Sequence, residues 1–461
     1  MAYQEYRINE DATRALQPGT NFLAVHCRQD FGAQYIDVAL IARGTVPGGE
    51  SLVLASASDP EMEANTTAAG RDWPQFLGPS RNAVCKGPSL REDWPSGGLP
   101  LLWSAPIGEG YSSPVVGEGK AVLCHRLGDQ LVVDCFEPLT GAVQWSFRDP
   151  MKFSDGAHYD SGPRPTPAIR NGRVFVFNTD GHLTCLKLTD GSVLWSHRCR
   201  SELGGRGTWS GFVASPLVLS NAVIVALGGM RAAVVAFAPD TGALLWQQHD
   251  DEATAASPLV ATLAGHPQLL VITRTFLRGL DPETGEGLWQ YATHRQGSGS
   301  VFGASPVVLG DYIFLSGWYG LGARLLRIGA EGPERIWSRN DALSTLYANA
   351  IVHRGHVYGF HGHPFEGGGP ALRCIDLETG QVQWEQRGAA AGTLIRCGEQ
   401  LLILFDSGEL QLVAADPARY KVKATTQLFG RYTRSYPAIV DGLVYVRGPK
   451  KLVCVDLRRR K

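Results

Sequence analysis

The 461-residue sequence has no apolar run approaching the roughly 18 residues that a membrane-spanning helix requires. It also carries little charge. Asp, Glu, Lys and Arg make up 19%, with 43 basic against 44 acidic residues and a formal net charge of −1. That balance leaves no electrostatic footprint for nucleic acid or an anionic membrane. Among the nine cysteines no two are adjacent, and no Cys-x-x-Cys-His occurs. An attached haem as electron acceptor is thereby excluded. Neither His-Glu-x-x-His nor a phosphate-binding glycine loop is present. The start, Met1-Ala2-Tyr3-Gln4-Glu5-Tyr6, lacks the basic and apolar regions of a signal peptide.

Turn formers are abundant, with 55 Gly and 27 Pro, and apolar residues at 44% suffice for a large core. With eleven Trp, this composition points to an all-β chain of short strands and tight turns. One line recurs: Pro138-Leu139-Thr140-Gly141 with Trp145, Leu188-Thr189-Asp190-Gly191 with Trp195, Pro239-Asp240-Thr241-Gly242 with Trp246. It returns at Gly285 with Trp289 and at Gly380 with Trp384; Gly332 with Trp337 is a looser copy, one residue longer. Trp103 follows the same pattern without its turn, so seven of the eleven Trp occupy one repeat position. The glycine supplies the positive φ that a short hairpin loop demands.

A second anchor keeps step. Ser113-Pro114, Thr166-Pro167, Ser215-Pro216, Ser257-Pro258, Ser305-Pro306 and Tyr436-Pro437 each open a strand, and Asn349 and Thr393 fill the same slot without Pro. The anchors are 42–53 residues apart and define eight units. Four strands per unit at this period predict an eight-bladed β-propeller. The last unit, from Tyr436, has three strands, whereas Leu101–Ala105 is a Trp-bearing fourth strand with no unit before it. The N-terminal strand is therefore expected to complete the C-terminal blade and close the ring. A six- or seven-bladed ring with insertions is the competing reading.

These units resemble the pyrroloquinoline-quinone-type propeller repeat, marked by Asp/Glu-Thr-Gly and Trp. Arg71-Asp72-Trp73-Pro74-Gln75-Phe76-Leu77-Gly78-Pro79 and Tyr159-Asp160-Ser161-Gly162-Pro163-Arg164 are similar to a bacterial branch of that superfamily. That branch resembles the scaffold lipoprotein of the outer-membrane β-barrel assembly machinery as much as the quinone dehydrogenases. Residues 1–43 resemble the closing strands of a galactose-binding-like β-sandwich and are read as a partial remnant, 44–70 as a linker, and 71–461 as the propeller. The resemblance implies a periplasmic or secreted protein, while the N-terminal residues show no signal peptide, so the compartment stays open.

The resemblance also bears on chemistry. Quinone dehydrogenases bind the quinone with a divalent cation, and several place adjacent cysteines against it. Neither the cation ligands nor the catalytic carboxylate falls on a matching motif here, so no cofactor is expected, pyrroloquinoline quinone with Ca²⁺ being the alternative. Cys135, Cys185, Cys374 and Cys454 share a repeat slot that takes Ala236 or Gly279 elsewhere, so they read as small core residues. Cys124 and Cys135 are the pair that neighbouring strands could bring together. His361, His363 and Glu366 have metal-donor chemistry but lie in a glycine-rich loop with no fourth ligand.

The connections that precede each first strand reach one rim near a propeller's axis. They carry Tyr111, Tyr159, Arg164, Trp209, Phe302, Tyr347, Asn349, Arg434 and Tyr436. Aromatic, Arg and Asn side chains suit stacking and hydrogen bonding to a planar or peptide-like ligand; packing of the channel is the bland alternative. The expected function is a non-catalytic, monomeric scaffold that presents this face to a protein or small ligand. A quinone-dependent dehydrogenase of alcohols or sugars and a carbohydrate-associated binding module are the alternatives.

Overall fold

A computed structural model describes residues 72–459 apart from 88, 156–159, 294–301, 319, 363–368 and 389. The expected sandwich remnant and linker, and also Tyr159, His363 and Glu366, lie outside the described residues. Within them the chain forms eight sheets, each with four antiparallel strands; one sheet gains a parallel fifth strand. Blade 1 is Val115–Gly117, Lys120–Leu127, Gln130–Phe136 and Val143–Pro150, designated strands A to D. The same order recurs through blade 7, which is Gly392–Cys397, Gln400–Phe405, Glu409–Ala414 and Val422–Gln427. Blade 8 takes strands A to C from Ala438–Val440, Leu443–Arg447 and Lys451–Asp456, and strand D from Leu101–Pro106. Trp103 stands opposite Cys454, so the ring closes by the N-terminal strand as expected. A five-residue helix, Cys199–Leu203, interrupts the connection from blade 2 to blade 3.

Strand direction fixes two rims. The D–A connections and B–C loops emerge at one, here the connection rim; the A–B and C–D turns emerge at the other, the hairpin rim. Adjacent blades are joined by the repeat itself. Trp145 Nε1 donates to Leu188 O at 2.9 Å, and Trp195 Nε1 to Pro239 O at 2.9 Å. Trp103, Trp337 and Trp384 likewise reach the next blade's C–D turn, at Pro138 O, Leu377 O and Asp416 O. The turn glycine lies flat on the indole: a Cβ on Gly191 would meet Trp145 at 2.5 Å, and one on Gly285 would meet Trp246 at 2.5 Å. Glycine is needed there for the contact as well as for its φ of +73° or +71°.

Opposite six of the seven repeat Trp residues the C strand carries a small residue, whereas Trp337 faces Leu325. Cys135, Cys185, Cys374 and Cys454 face Trp145, Trp195, Trp384 and Trp103, and Ala236 and Gly279 face Trp246 and Trp289. Blade 7 reverses the sizes, with Leu412 opposite Ala424. Its neighbour, blade 8, has no covalent C–D turn on which a Trp could dock. Residues 90–99 border this seam instead, with Lys423 paired to Glu92 at 2.7 Å and Gln400 hydrogen-bonded to Leu90. In all eight blades the register shifts by one residue beside the Trp position, a bulge that distorts the outer strand. Such bulges blunt an edge that would otherwise invite further pairing.

Candidate functional site

The Ser/Thr-Pro anchors form a girdle around the axis. Ser113 N donates to Thr166 Oγ1, Thr166 N to Ser215 Oγ, Ser215 N to Ser257 Oγ and Ser257 N to Ser305 Oγ, at 2.9–3.1 Å. Ser305 N donates to Asn349 Oδ1 at 3.2 Å. Asn349 N donates to the Tyr436 hydroxyl, and Tyr436 N returns to Ser113 Oγ at 2.9 Å. Tyr436 thus spans past Thr393 of blade 7 and completes the circle. The slot takes a short polar side chain because its oxygen must meet the preceding blade's N–H, and proline follows because that next residue has no N–H to satisfy. Arg447 secures the same seam from blade 8, donating to Ser112 O, Cys124 O and Gly108 O. Burial lowers its pKa to about 10.

Beneath the girdle the axis is filled by residues 72–87, entering from the hairpin rim. Trp73 exchanges backbone hydrogen bonds with Val116 of blade 1, and Pro74 O accepts from Ile169 of blade 2. Arg81, 5% exposed, donates to Pro216 O and Ser215 O of blade 3 and to Gln75 Oε1. Its desolvation lowers the guanidinium pKa to about 9. Phe76 meets Tyr436 edge-on at 5.6 Å. The segment turns back so that Ala83 O accepts from Arg396, and Val84–Cys85 adds a parallel fifth strand to blade 7. These residues are therefore an axial plug.

Above the girdle, on the connection rim, four of the nine expected site residues converge. The Arg434 guanidinium lies 5.7 Å and that of Arg164 6.0 Å from the Tyr111 ring centroid. Tyr347 is coupled electrostatically to Arg434, Tyr111 and Asp406, and burial pushes its phenol far above the ordinary value. Burial likewise raises Tyr111 to about 12. Each guanidinium has a carboxylate: Arg164 Nη2 lies 3.2 Å from Asp155, and Arg434 Nε 3.1 Å from Asp406. Asp160 ties two connections together by accepting from Gly110 N and Gly162 N. Among the described residues, four buried polar atoms here have no hydrogen-bond partner: Tyr111 OH, Tyr347 OH, Arg164 Nη1 and Asp406 Oδ1.

The other expected residues lie elsewhere. Asn349 and Tyr436 belong to the girdle. Phe302, 1% exposed, packs in the core with Leu315 and Leu321. Trp209 is 72% exposed on the connection from blade 2 to blade 3. That connection is bonded to the B–C loop of blade 3 through Arg206 N to Gly228 O and Gly207 N to Leu227 O. The loop carries Met230, 74% exposed. Asp155, Asp160 and Asp406 are not among the expected site residues; the Tyr159-to-Arg164 stretch contributes only its aromatic and basic members to that expectation. Of the metal candidates, His361 uses Nδ1 to accept from Ser344 N at 3.1 Å, and burial lowers its pKa to about 4.

A carboxylated quinone with a divalent cation does not fit the mouth as described. Its guanidinium groups already face carboxylates, and among the described residues no cluster of three or more His, Cys, Asp or Glu is placed to hold a metal.

The fold defines a plugged eight-bladed β-propeller. The Outer membrane protein assembly factor BamB family matches residues 128–386, more than half of the chain, and the chain belongs to that family. BamB of Yersinia pestis is 24% identical over 258 residues, 52% of this chain and 59% of its own length. The chain thus spans under two thirds of that relative. Among solved structures, quinohaemoprotein alcohol dehydrogenase from Comamonas testosteroni superposes with a TM-score of 0.65 at 14% identity, over 85% of this chain and 81% of that one. BamB from Moraxella catarrhalis gives 0.58 at 13%, over 79% and 99%. At these identities the likeness is one of fold.

Proposed function

We propose that this chain is a non-catalytic scaffold that binds a protein partner through its connection rim, in outer-membrane protein assembly as its relatives' name indicates. The observation that carries the reading is the polar balance of the mouth. Among the described residues, two phenols, one guanidinium N–H and one carboxylate oxygen have no hydrogen-bond partner and stand beside paired charges. That mixture of donors and acceptors matches peptide N–H and C=O groups better than a polyanion. Trp209 and Met230 on adjoining loops, with Tyr432 57% exposed, add large apolar side chains to the same rim. Exposed aromatic and Met side chains of this kind are common anchors of protein interfaces. The test is co-purification from native cell envelopes: the wild-type chain retains an outer-membrane assembly component, and a Trp209→Ala/Met230→Ala variant loses it while unfolding at the same urea concentration. Retention by the variant overturns the role of this rim.

A quinone-dependent dehydrogenase is the second reading, favoured by the superposition on the Comamonas enzyme. Supplying pyrroloquinoline quinone, Ca²⁺, alcohols or aldoses and a dye acceptor decides it. Substrate-dependent dye reduction that is lost in Asp406→Asn would replace the scaffold reading.

A further inference from the structure

The axial plug brings two thiols together. In the parallel pairing of Val84–Cys85 with blade 7, Val84 stands opposite Arg396 and Cys85 opposite Cys397. Neighbouring strands run about 4.8 Å apart, and a disulfide accepts Cα separations of about 4.4–6.8 Å. Residues in register on adjacent strands also direct their side chains to the same face. Among the described residues the other strand cysteines have no such partner, facing Val122 and Trp145 at Cys135, Val133 at Cys124, Phe175 and Trp195 at Cys185. Cys374 and Cys454 face Tyr358 and Tyr445 across the sheet.

The two sulfurs are not equivalent. Cys397 is fully buried, whereas Cys85 is 8% exposed and lines a small crevice with Lys86, Gly87 and Asp441. Gly87 N–H lies 3.3 Å from Cys85 Sγ. Hydrogen bonding from the Cys397 thiol, ahead of that from Gly87, draws the Cys85 thiol below its ordinary range and leaves Cys397 well above it. Of the two buried sulfurs, Cys85 is thus the more exposed and the more readily ionised.

We propose that Cys85 and Cys397 are a redox-responsive pair whose disulfide fastens the axial plug to the inner strand of blade 7. The oxidant is a low-molecular-weight disulfide such as oxidised glutathione. The Cys85 thiolate attacks one of its sulfurs, forms a mixed disulfide and expels one thiolate. Cys397 then gives up its proton and attacks Cys85 Sγ, expelling the second thiolate. Two protein thiols are oxidised, and one small disulfide is reduced to two thiols. The bond encloses blades 1 to 6 in a covalent loop and couples the plug's retention to the thiol–disulfide balance around the protein.

The test uses the full chain, first reduced and then equilibrated with oxidised glutathione, acid-quenched, unfolded, alkylated and mapped by peptide mass spectrometry. The expected product is a linked Cys85–Cys397 peptide in most molecules, with Cys124, Cys135, Cys185, Cys199, Cys374 and Cys454 alkylated. Oxidation also raises the urea midpoint of the wild type and leaves that of Cys85→Ser unchanged. Recovery of Cys85 and Cys397 both as alkylated thiols, or of Cys85 only as its glutathione adduct, overturns the proposal. The peptide map of the wild type decides the matter even if the variant fails to fold.

Discussion

Replacing Gly191 by Ala tests the contact that joins one blade to the next. Gly191 has φ +73°, where an added Cβ costs about 1–2 kcal/mol from the left-handed backbone alone. The same Cβ would lie 2.5 Å from Trp145 Cε3 and 2.9 Å from Cδ2. The indole cannot retreat cheaply, because its Nε1 is held by Leu188 O of the same turn. Overpacking of this kind adds about 1–3 kcal/mol, for a total of roughly 2–5 kcal/mol. Gly172 provides the control. It sits in the same blade at φ +70°, and a Cβ there meets nothing within 4 Å. Gly172→Ala should therefore lose only the backbone share, about 1–2 kcal/mol. Urea unfolding of both variants, with midpoints compared at equal slope, reads the difference. In a Trp145→Ala background the two glycine variants should converge. Equal losses from Gly191→Ala and Gly172→Ala in the wild-type background would refute the docking role of the indole.

Ser257→Ala removes the acceptor of Ser215 N within the girdle and should cost about 1–3 kcal/mol for a buried unsatisfied N–H, measured by urea unfolding. Trp246→Ala should cost about 3–5 kcal/mol by the same assay; its Nε1 has no hydrogen-bond partner among the described residues, so the loss is one of packing. His361 is held neutral, with its pKa lowered from 6.5 to about 4 by burial and then by the Arg373 charge. The unfolded chain therefore takes up a proton first, and this contribution to stability, complete above pH 6.5, should fade as pH falls toward 4. His361→Gln should flatten that part of the stability profile.

The ring was legible because its parts repeat. Trp, turn glycine and Ser-Pro recur in every regular unit, and a strand lacking its blade at one end matches a blade lacking its strand at the other. The deviations were legible only in part. The extra residue before Trp337 marks the turn at Gly332, where Trp289 bonds instead to Gln268 of its own blade. The missing Trp in blade 7 has a reason only once the seam is seen to have no C–D turn. The serine slot was read through its proline, because the role of the hydroxyl lies in a hydrogen bond to a residue more than 40 positions away. The plug and its Cys85–Cys397 contact fall outside the repeat, so no periodicity could place them. At the mouth, stacking chemistry drew notice to Tyr111, Tyr347, Arg164 and Arg434. Their carboxylate partners come from loops whose convergence depends on the closed ring.

Photo-crosslinking in cells most directly tests whether the connection rim is the protein-binding face. A photoreactive residue is placed at position 209 or 432 on that rim, or at 139, an exposed C–D turn position on the hairpin rim. Irradiation should give adducts with an outer-membrane protein assembly component from 209 and 432 and none from 139. Adducts from 139 alone, or none from 209 and 432, would contradict it.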